Sequence, residues 1–341
     1  MKIGMMSAWN LDAGPSIHAE LVGREWVRRG HILHVFSFVK SDYHGTVFVR
    51  EDEEYVHRCF GTRGGLDPRP ILRSDFNYFI VQDLCMLPKD ELGKIFHHVR
   101  KKAKTVNIIH DAELSPNPSF YQFEWDAIVC FDDRYRSFLR DIYPEDQIHM
   151  IPYPCHPVLK GDKKEARRRL GLPEDRKIIL VFGQRIRDDL EMIRSISNLG
   201  RKYSITLLIV SVHAAEPMGA ENIHVEVRFE APGIDRLYDY LHAADALILN
   251  RRSEKRAVIS STAHQCLGAG CPIIAFDSPF FEYFKDEVIK YRTSEEFEEN
   301  LIEVFEGGER VKRSLRAAEK YVEENSAERI AERYIELFRR L

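Results

Sequence analysis

The chain has 341 residues, of which 44% are hydrophobic and 30% charged, with a mean hydropathy of -0.35. Such a composition can bury a core and excludes a disordered or membrane-embedded chain, and at about 100 to 200 residues per domain it suggests two domains or one large one. Fifty Lys and Arg against 54 Asp and Glu leave a formal charge of -4, which argues against nucleic-acid partners while leaving a local basic patch open.

No stretch approaches the roughly 20 apolar residues of a spanning helix, and the opening MKIGMMSAWN lacks the charged-then-apolar order of a signal peptide. The expected location is the cytoplasm. A peripheral contact with the inner membrane face stays open on the basic run Lys163 to Arg169. The cysteines at 59, 85, 130, 155, 266 and 271 form no CxxC pair, so they read as reduced, mostly buried thiols.

In chain order, Lys2 to Ser7 reads as a buried strand, followed by a loop and a helix from about Ser16 to Arg29. Ile17, Leu21, Val22 and Trp26 share one face of that helix near the 3.6-residue period. Gly30 ends it, and the strand His31 to Val39 completes a βαβ unit. Residues 40 to 75 are irregular, with Phe60 to Pro70 a loop by its Gly and Pro content. Further strands are expected at Asn77 to Val81, Val106 to Ile109, Ala127 to Phe131 and Ile148 to Ile151, with helices at Lys89 to Lys102 and Arg134 to Ile142.

Ile151 to Pro157 (IPYPCHP) is proline-dense and extended, and the same alternation restarts after it. Helices are expected at Lys163 to Leu170, Asp188 to Leu199, Asp235 to Ala243 and Ser261 to Leu267. The strands between them are Lys177 to Phe182, Ile205 to Val210, Val225 to Phe229, Ala246 to Leu249 and Pro272 to Phe276, and Ser294 to Leu341 reads as helical throughout. Strands alternating with helices imply mostly parallel sheets with covered faces. The fold class is therefore α/β, two doubly wound Rossmann-like domains hinged near 152 to 160. Two such domains facing across a cleft would bring the carboxyl ends of their strands, where these sheets bind ligands, to opposite walls.

Generic nucleotide signatures are missing. There is no GxxxxGK[ST], and the loop Trp9 to Ser16 has only Gly14 where a dinucleotide fingerprint needs several glycines. No HExxH or paired Cys/His spacing occurs, so no metal is expected. Ser260, Ser261 and Thr262 precede an apolar helix and follow Arg251, Arg252, Lys255 and Arg256. Helix-start amides with nearby guanidinium groups make an anion site suited to a diphosphate, whereas plain helix capping beside a solvated charge run is the bland alternative.

Three segments carry a resemblance: ARRRLGLPEDRKIILVFGQ at 166 to 184, AHQCLGAGCPIIA at 263 to 275, and Lys2 to Phe36 with its loop, helix and Arg29-Gly30-His31. They resemble, in order, the linker helix and first C-domain strand, the donor-site helix, turn and strand, and the N-terminal βαβ unit of GT-B glycosyltransferases, particularly the retaining family 4 group. IPYPCHP is similar in position to that group's interdomain segment. The resemblance implies an acceptor-side domain over 1–155, a nucleotide-sugar domain over 156–322, and a C-terminal helix, 323–341, returning to the N-terminal domain.

It also implies roles. Gly183, Gln184, Arg185 and Arg187 fall where the family grips the donor diphosphate, although the usual lysine position is acidic here, leaving Arg187 or Arg256 to substitute. Of the family's two glutamates, one aligns with Ala257, leaving Glu254 as a stand-in. The other aligns with Gln265, whose amide can still hydrogen-bond a ribose hydroxyl. Glu230, within Phe229 to Gly233, lies near the nucleoside base. His110 matches the family's strand-end histidine beside the transferred sugar, a polar contact and not necessarily a base, with Asp111 and Glu113 available to acceptor hydroxyls. Asn10, Asp12, Gly14 and Ser16 fall at acceptor and phosphate contacts.

The expectation is a glycosyltransferase moving a sugar from a nucleotide diphosphate sugar to a lipid, glycan or small-molecule acceptor, with retention and without a cofactor or obligatory metal. A nucleotide-sugar 2-epimerase of the same fold and a catalytically lapsed binding protein are the alternatives. Donor base, acceptor and oligomeric state are not legible.

Overall fold

The computed structural model describes residues 1–40, 48–61, 65–183, 186–213, 221–252 and 257–341. Two compact units emerge: one comprises 1–154, 255–258 and 327–341, the other 155–254 and 259–326. The α/β expectation holds: each unit is built on one parallel sheet with helices on its flanks.

In the first unit the strands are β1 (Lys2–Met6), β2 (Ile32–Phe38), β3 (Val56–Phe60), β4 (Tyr78–Gln82), β5 (Lys104–Ile108), β6 (Ala127–Cys130) and β7 (Ile148–Met150). They lie in the order β3-β2-β1-β4-β5-β6-β7. The helices α1 (Gly14–Arg28), α2 (Arg69–Arg73), α3 (Lys89–Lys102) and α4 (Asp133–Leu139) connect them. β3 lies within the segment read as irregular, because its Val-His-Arg-Cys-Phe run alternates too weakly to signal a strand. In the sheet it pairs in parallel with β2, where the Phe38 and Phe60 rings are 4.6 Å apart.

The second unit carries α5 (Lys163–Leu170), β8 (Lys177–Phe182), α6 (Ile186–Asp189), α7 (Ile193–Leu199), β9 (Ile205–Val210), β10 (His224–Arg228), α8 (Ile234–Ala243), β11 (Ala246–Leu249), α9 (Ser261–Cys266), β12 (Ile273–Phe276) and β13 (Ile289–Tyr291). Its sheet order is β10-β9-β8-β11-β12-β13. The near-continuous apolar strands follow from burial on both faces. Ile178, Leu180 and Phe182 enter one core while Ile179 and Val181 enter the other, the two-residue period of a strand. The single helix expected over Asp188 to Leu199 is broken between α6 and α7 by a tight 3-10 turn at Leu190–Met192.

The expected continuous helical tail is three helices: α10 (Ser294–Glu306), α11 (Glu309–Glu324) and α12 (Ala327–Arg340). Gly307 in the left-handed region (φ 70) closes α10. α12 belongs to the first unit, where Trp26 of α1 donates its indole N–H to the Ala331 carbonyl at 3.1 Å. Tyr334 and Phe338 lie edge-on and tilted against the same indole. Burying these aromatics contributes a few kcal/mol each.

The second unit is tied at its entry. Cys155 donates its amide N–H to Asn325, His156 to His264 and Leu159 to Gly268, so the proline-dense segment runs along α9 and the turn after it. That close approach explains Gly268: a Cβ there would sit 2.7 Å from the Pro157 carbonyl oxygen. Gly268→Ala is expected to cost about 1–3 kcal/mol in urea unfolding. Gly233→Ala, where a Cβ meets nothing within 4 Å, should cost less than Gly268→Ala, no more than about 1 kcal/mol through the N-cap position it holds on α8.

Candidate functional site

At the carboxyl edge of the first sheet the chain leaves β1 through Ser7 to Ala13, β4 through Asp83 and β5 through Ile109 to Asp111. His110 is half-buried, and its Nε2 lies 3.2 Å from Gln82 Oε1. Gln82 spends its amide N–H on the Met5 sulfur, so its oxygen accepts from His110 and the Nδ1 lone pair is the open position. Burial pushes the imidazole pKa down to about 3, which keeps His110 neutral at physiological pH. The ring is held edge-on by His18 and Phe131, with centroids 5.3 and 5.0 Å away. A neutral, fixed imidazole is a good hydrogen-bond acceptor for a hydroxyl and a poor general base at pH 7.

Asp83 has φ 54, in the left-handed region, is 9% exposed, and leaves Oδ1 without a hydrogen-bond partner. Burial first, and the neighbouring Asp111 second, push its carboxyl up to about 7. Burial and the same two acids raise the Cys85 thiol. Ligand atoms of Asp83, Cys85 and Asp111 lie within 4.8 Å of one another, the one grouping among the described residues that could hold a metal ion. Sequence reading singled out Asp111 alone. Asp83 is the polar residue just past YFIVQ, a signal as legible as His110 after its own strand.

Two of the residues expected at the acceptor side, Asn10 and Ser16, are hydrogen-bonded within the loop after β1. Asn10 is 0% exposed, and its side chain bonds to the Glu51 carbonyl, Asp52, Glu53 and Arg24. Ser16, also 0% exposed, accepts from the Leu11 N–H at 3.0 Å and donates to Glu20 at 2.7 Å. Both side chains help to build the loop. Asp12 and Gly14 are half-buried. Gly14 opens α1, whose N-cap Ala13 supplies no side-chain cap, and its carbonyl accepts from the Tyr153 hydroxyl at 2.7 Å.

In the second unit β8 ends at Gly183, whose φ of 106 only glycine adopts without strain. Gln184, Arg185, Glu254 and Arg256 lie outside the described residues. Arg187 on α6 is exposed and has no ion-pair partner among the described residues. The basic run after β11 is used differently from the reading above. Arg251, 6% exposed, pairs at 2.6 Å with Asp189, a carboxylate that also accepts from the Asn250 N–H at 2.7 Å. Asn250 in turn accepts from Tyr291 at 3.0 Å. Arg252 pairs with Glu191 at 3.5 Å and lies over the Phe276 ring. Arg251 is therefore structural, because a buried carboxylate must be paired.

Ser260 caps α9, accepting from the Ala263 N–H at 3.2 Å, which leaves its hydroxyl oxygen committed to the helix. Ser261, Thr262 and Gln265 are half-buried, and the Gln265 side-chain amide has no partner among the described residues. Glu230, expected near the nucleoside base, is held by Arg236 at one oxygen at 2.8 Å and by the Tyr240 hydroxyl at the other. Burial opposes ionisation, but these two hydrogen bonds win and hold its carboxyl below the usual range. Its neighbour Phe229 is 70% exposed, an aromatic face at the end of β10.

No family model matches the sequence. Among solved structures the chain is similar over 100% of its length to 98% of sucrose-phosphate synthase from Thermosynechococcus elongatus, with TM-score 0.70 and 13% identity. It is similar over 99% of its length to 98% of a glycosyltransferase from Rickettsia africae, with TM-score 0.70 and 15% identity. It is also similar, each chain covered at 100%, to Anabaena HepE in complex with UDP, with TM-score 0.68 and 13% identity. The fold is that of the GT-B glycosyltransferases: two α/β units, each on a parallel sheet.

Asp83 gives a pH test. Its carboxyl rises from 3.8 to about 7 on folding, so the folded protein holds that proton more tightly. The resulting stabilisation is complete below pH 4 and is lost as pH rises through 7. Asp83→Asn should remove this loss. Relative to wild type, the variant gains stability between pH 5 and pH 8 in urea unfolding, and an equal offset at both pH values would contradict the assignment.

Proposed function

We propose that the protein is a glycosyltransferase of the retaining family 4 type, which binds a nucleotide diphosphate sugar on its second unit and a hydroxyl-bearing acceptor on its first. The observation that carries the reading is Arg187, an exposed cation with no carboxylate partner among the described residues, four residues past the positive-φ Gly183 at the end of β8. It is supported by full-length similarity to structures solved with UDP and with UDP-glucose. In such a transfer the bond from the anomeric carbon to the diphosphate breaks and one to the acceptor oxygen forms, while the acceptor proton leaves. The departing diphosphate gains negative charge, which guanidinium groups and helix-start amides stabilise. Arg187 and the Ser261–Thr262 turn supply these from the described residues, joined in the proposal by Arg185 and Arg256, with Gln184 beside the diphosphate and Glu254 accepting from a hydroxyl of the donor sugar.

In this reading Phe229 offers its face to the nucleoside base, the unpartnered amide of Gln265 meets a ribose hydroxyl, and the neutral His110 accepts a hydrogen bond from a sugar hydroxyl through Nδ1. Asp12, Gly14 and Asp111 face the acceptor. No catalytic step requires a metal, because the charge on the leaving group is met by cations of the chain itself.

The test is nucleoside diphosphate release from a panel of nucleotide sugars, with and without lipid, glycan and small-molecule acceptors. Acceptor-dependent release with the donor's anomeric configuration kept in the product is expected. Release without acceptor, with the sugar epimerised at C2, would indicate the epimerase, and no binding of any nucleotide diphosphate would leave only a binding protein. Arg187→Ala should lower kcat/KM by about 10- to 100-fold, the value of a charged hydrogen bond. His110→Ala should lower kcat with no shift of the pH profile near 6.5, since the imidazole is neutral throughout that range.

A further inference from the structure

At the outer edge of the first sheet, β7, α4 and α12 line an open groove of about 450 Å³, with Arg333, Glu336 and Arg340 of α12 exposed along it. Its charged lining is Arg136 from α4, His149 from β7, and Arg333, Glu336 and Arg340 from α12. Positions 333, 336 and 340 recur at three- and four-residue spacing and so share one helix face.

Three guanidinium groups therefore meet one carboxylate. Neither Arg333 nor Arg340 has an ion-pair partner among the described residues. Elsewhere on the same helix charges are matched: Arg339 pairs with Glu332 at 3.5 Å, and Glu328 and Glu332 hold Arg28 and Arg29 of α1. The Arg136 guanidinium is bound at one end by Glu145, which it shares with Arg140, while its buried Nε finds no acceptor among the described residues. A buried donor without a partner costs about 1–3 kcal/mol. Arg340 near the end of α12 also suits the helix dipole, but that accounts for neither Arg333 in mid-helix nor the orphaned Nε of Arg136. His149 reports the same field: burial, then the charge of Arg340, lower its pKa.

We propose that this groove is a binding site for a phosphate-bearing ligand, a phosphomonoester or diphosphate group held by Arg136, Arg333 and Arg340. Planar guanidinium forks match phosphate oxygens two at a time, and the volume falls in the range of small-molecule pockets, about 300–1,000 Å³. Ile148 and Leu337, both buried in the lining, give the site an apolar floor, so the ligand carries an apolar or sugar portion behind its phosphate. The site is built wholly within the first unit and is separate from the residues proposed to hold the donor. A phosphorylated metabolite and a lipid headgroup share this chemistry.

The experiment titrates the full chain with inorganic phosphate and pyrophosphate at low salt, following the His149 ring resonances, and in parallel sediments it with phosphatidic acid or phosphatidylcholine vesicles. Perturbation of His149 by the free anions is expected, with binding weakened at least tenfold in Arg333→Gln/Arg340→Gln. Binding should be retained in Arg339→Gln, whose guanidinium is already paired, and in Arg187→Ala, which separates this site from the donor site. Binding only to phosphatidic acid vesicles, lost in the same double variant, supports the site and assigns its ligand to a lipid headgroup. If the glutamine pair does not fold, Arg333→Lys/Arg340→Lys replaces it, with weakened binding supporting the proposal and unchanged binding opposing it. Wild-type protein that binds neither anion nor vesicle, or a double variant that binds as well as wild type, overturns it.

Discussion

A strand in a parallel sheet cannot return by a hairpin; each return crosses a face of the sheet, here usually as a helix, so every strand leaves at the same edge. All the paired strands of both sheets are parallel. The remaining features depend on that constraint. It collects the residues that follow each apolar run, His110 and Asp83 in the first unit and Gly183, Phe229 and Asn250 in the second, at one edge of each sheet. There the backbone is no longer engaged in the ladder, and side chains that the fold has not already used can meet a ligand.

What those residues can do depends on which charges the fold has already used. Arg167 is 4% exposed, bonds to the carbonyls of Ala243, Glu174 and Arg176, and pairs with Asp245 at 2.8 Å. It thereby ties α5 to the start of β11. Arg251 and Asp189 do the same at the other end of that strand. Removing one partner of such a buried pair strands the other in a poor dielectric, which is why these cations are not available to a substrate. Arg187, Arg333 and Arg340, by contrast, have no carboxylate partners among the described residues, and the chemistry of the protein is read from them.

The strand and helix pattern was largely legible because two-residue and 3.6-residue periods are local properties. Of the thirteen strands among the described residues, β3 and β13 escaped notice: Val-His-Arg-Cys-Phe and Ile-Lys-Tyr are short runs that only a neighbouring strand makes into a ladder. The tail was read as helical but not as three helices, although Gly307 and Gly308 mark the first break.

The candidate residues were less legible than the elements that carry them. Asn10, Ser16, Glu230 and Arg251 have the residue types and the strand-end positions of ligand contacts, and nothing local distinguishes them from Arg187 or His110. The sequence by itself determined the alternating α/β order, the parallel sheets and the edge at which polar residues gather, because each follows from periodicity and chain connectivity. Only the tertiary structure decided which polar groups are consumed internally and which remain open. It also decided that Asp83 lies beside Asp111 and that Arg333 and Arg340 lie beside Arg136. Such pairings join residues distant in the chain, and no spacing in the sequence encodes them.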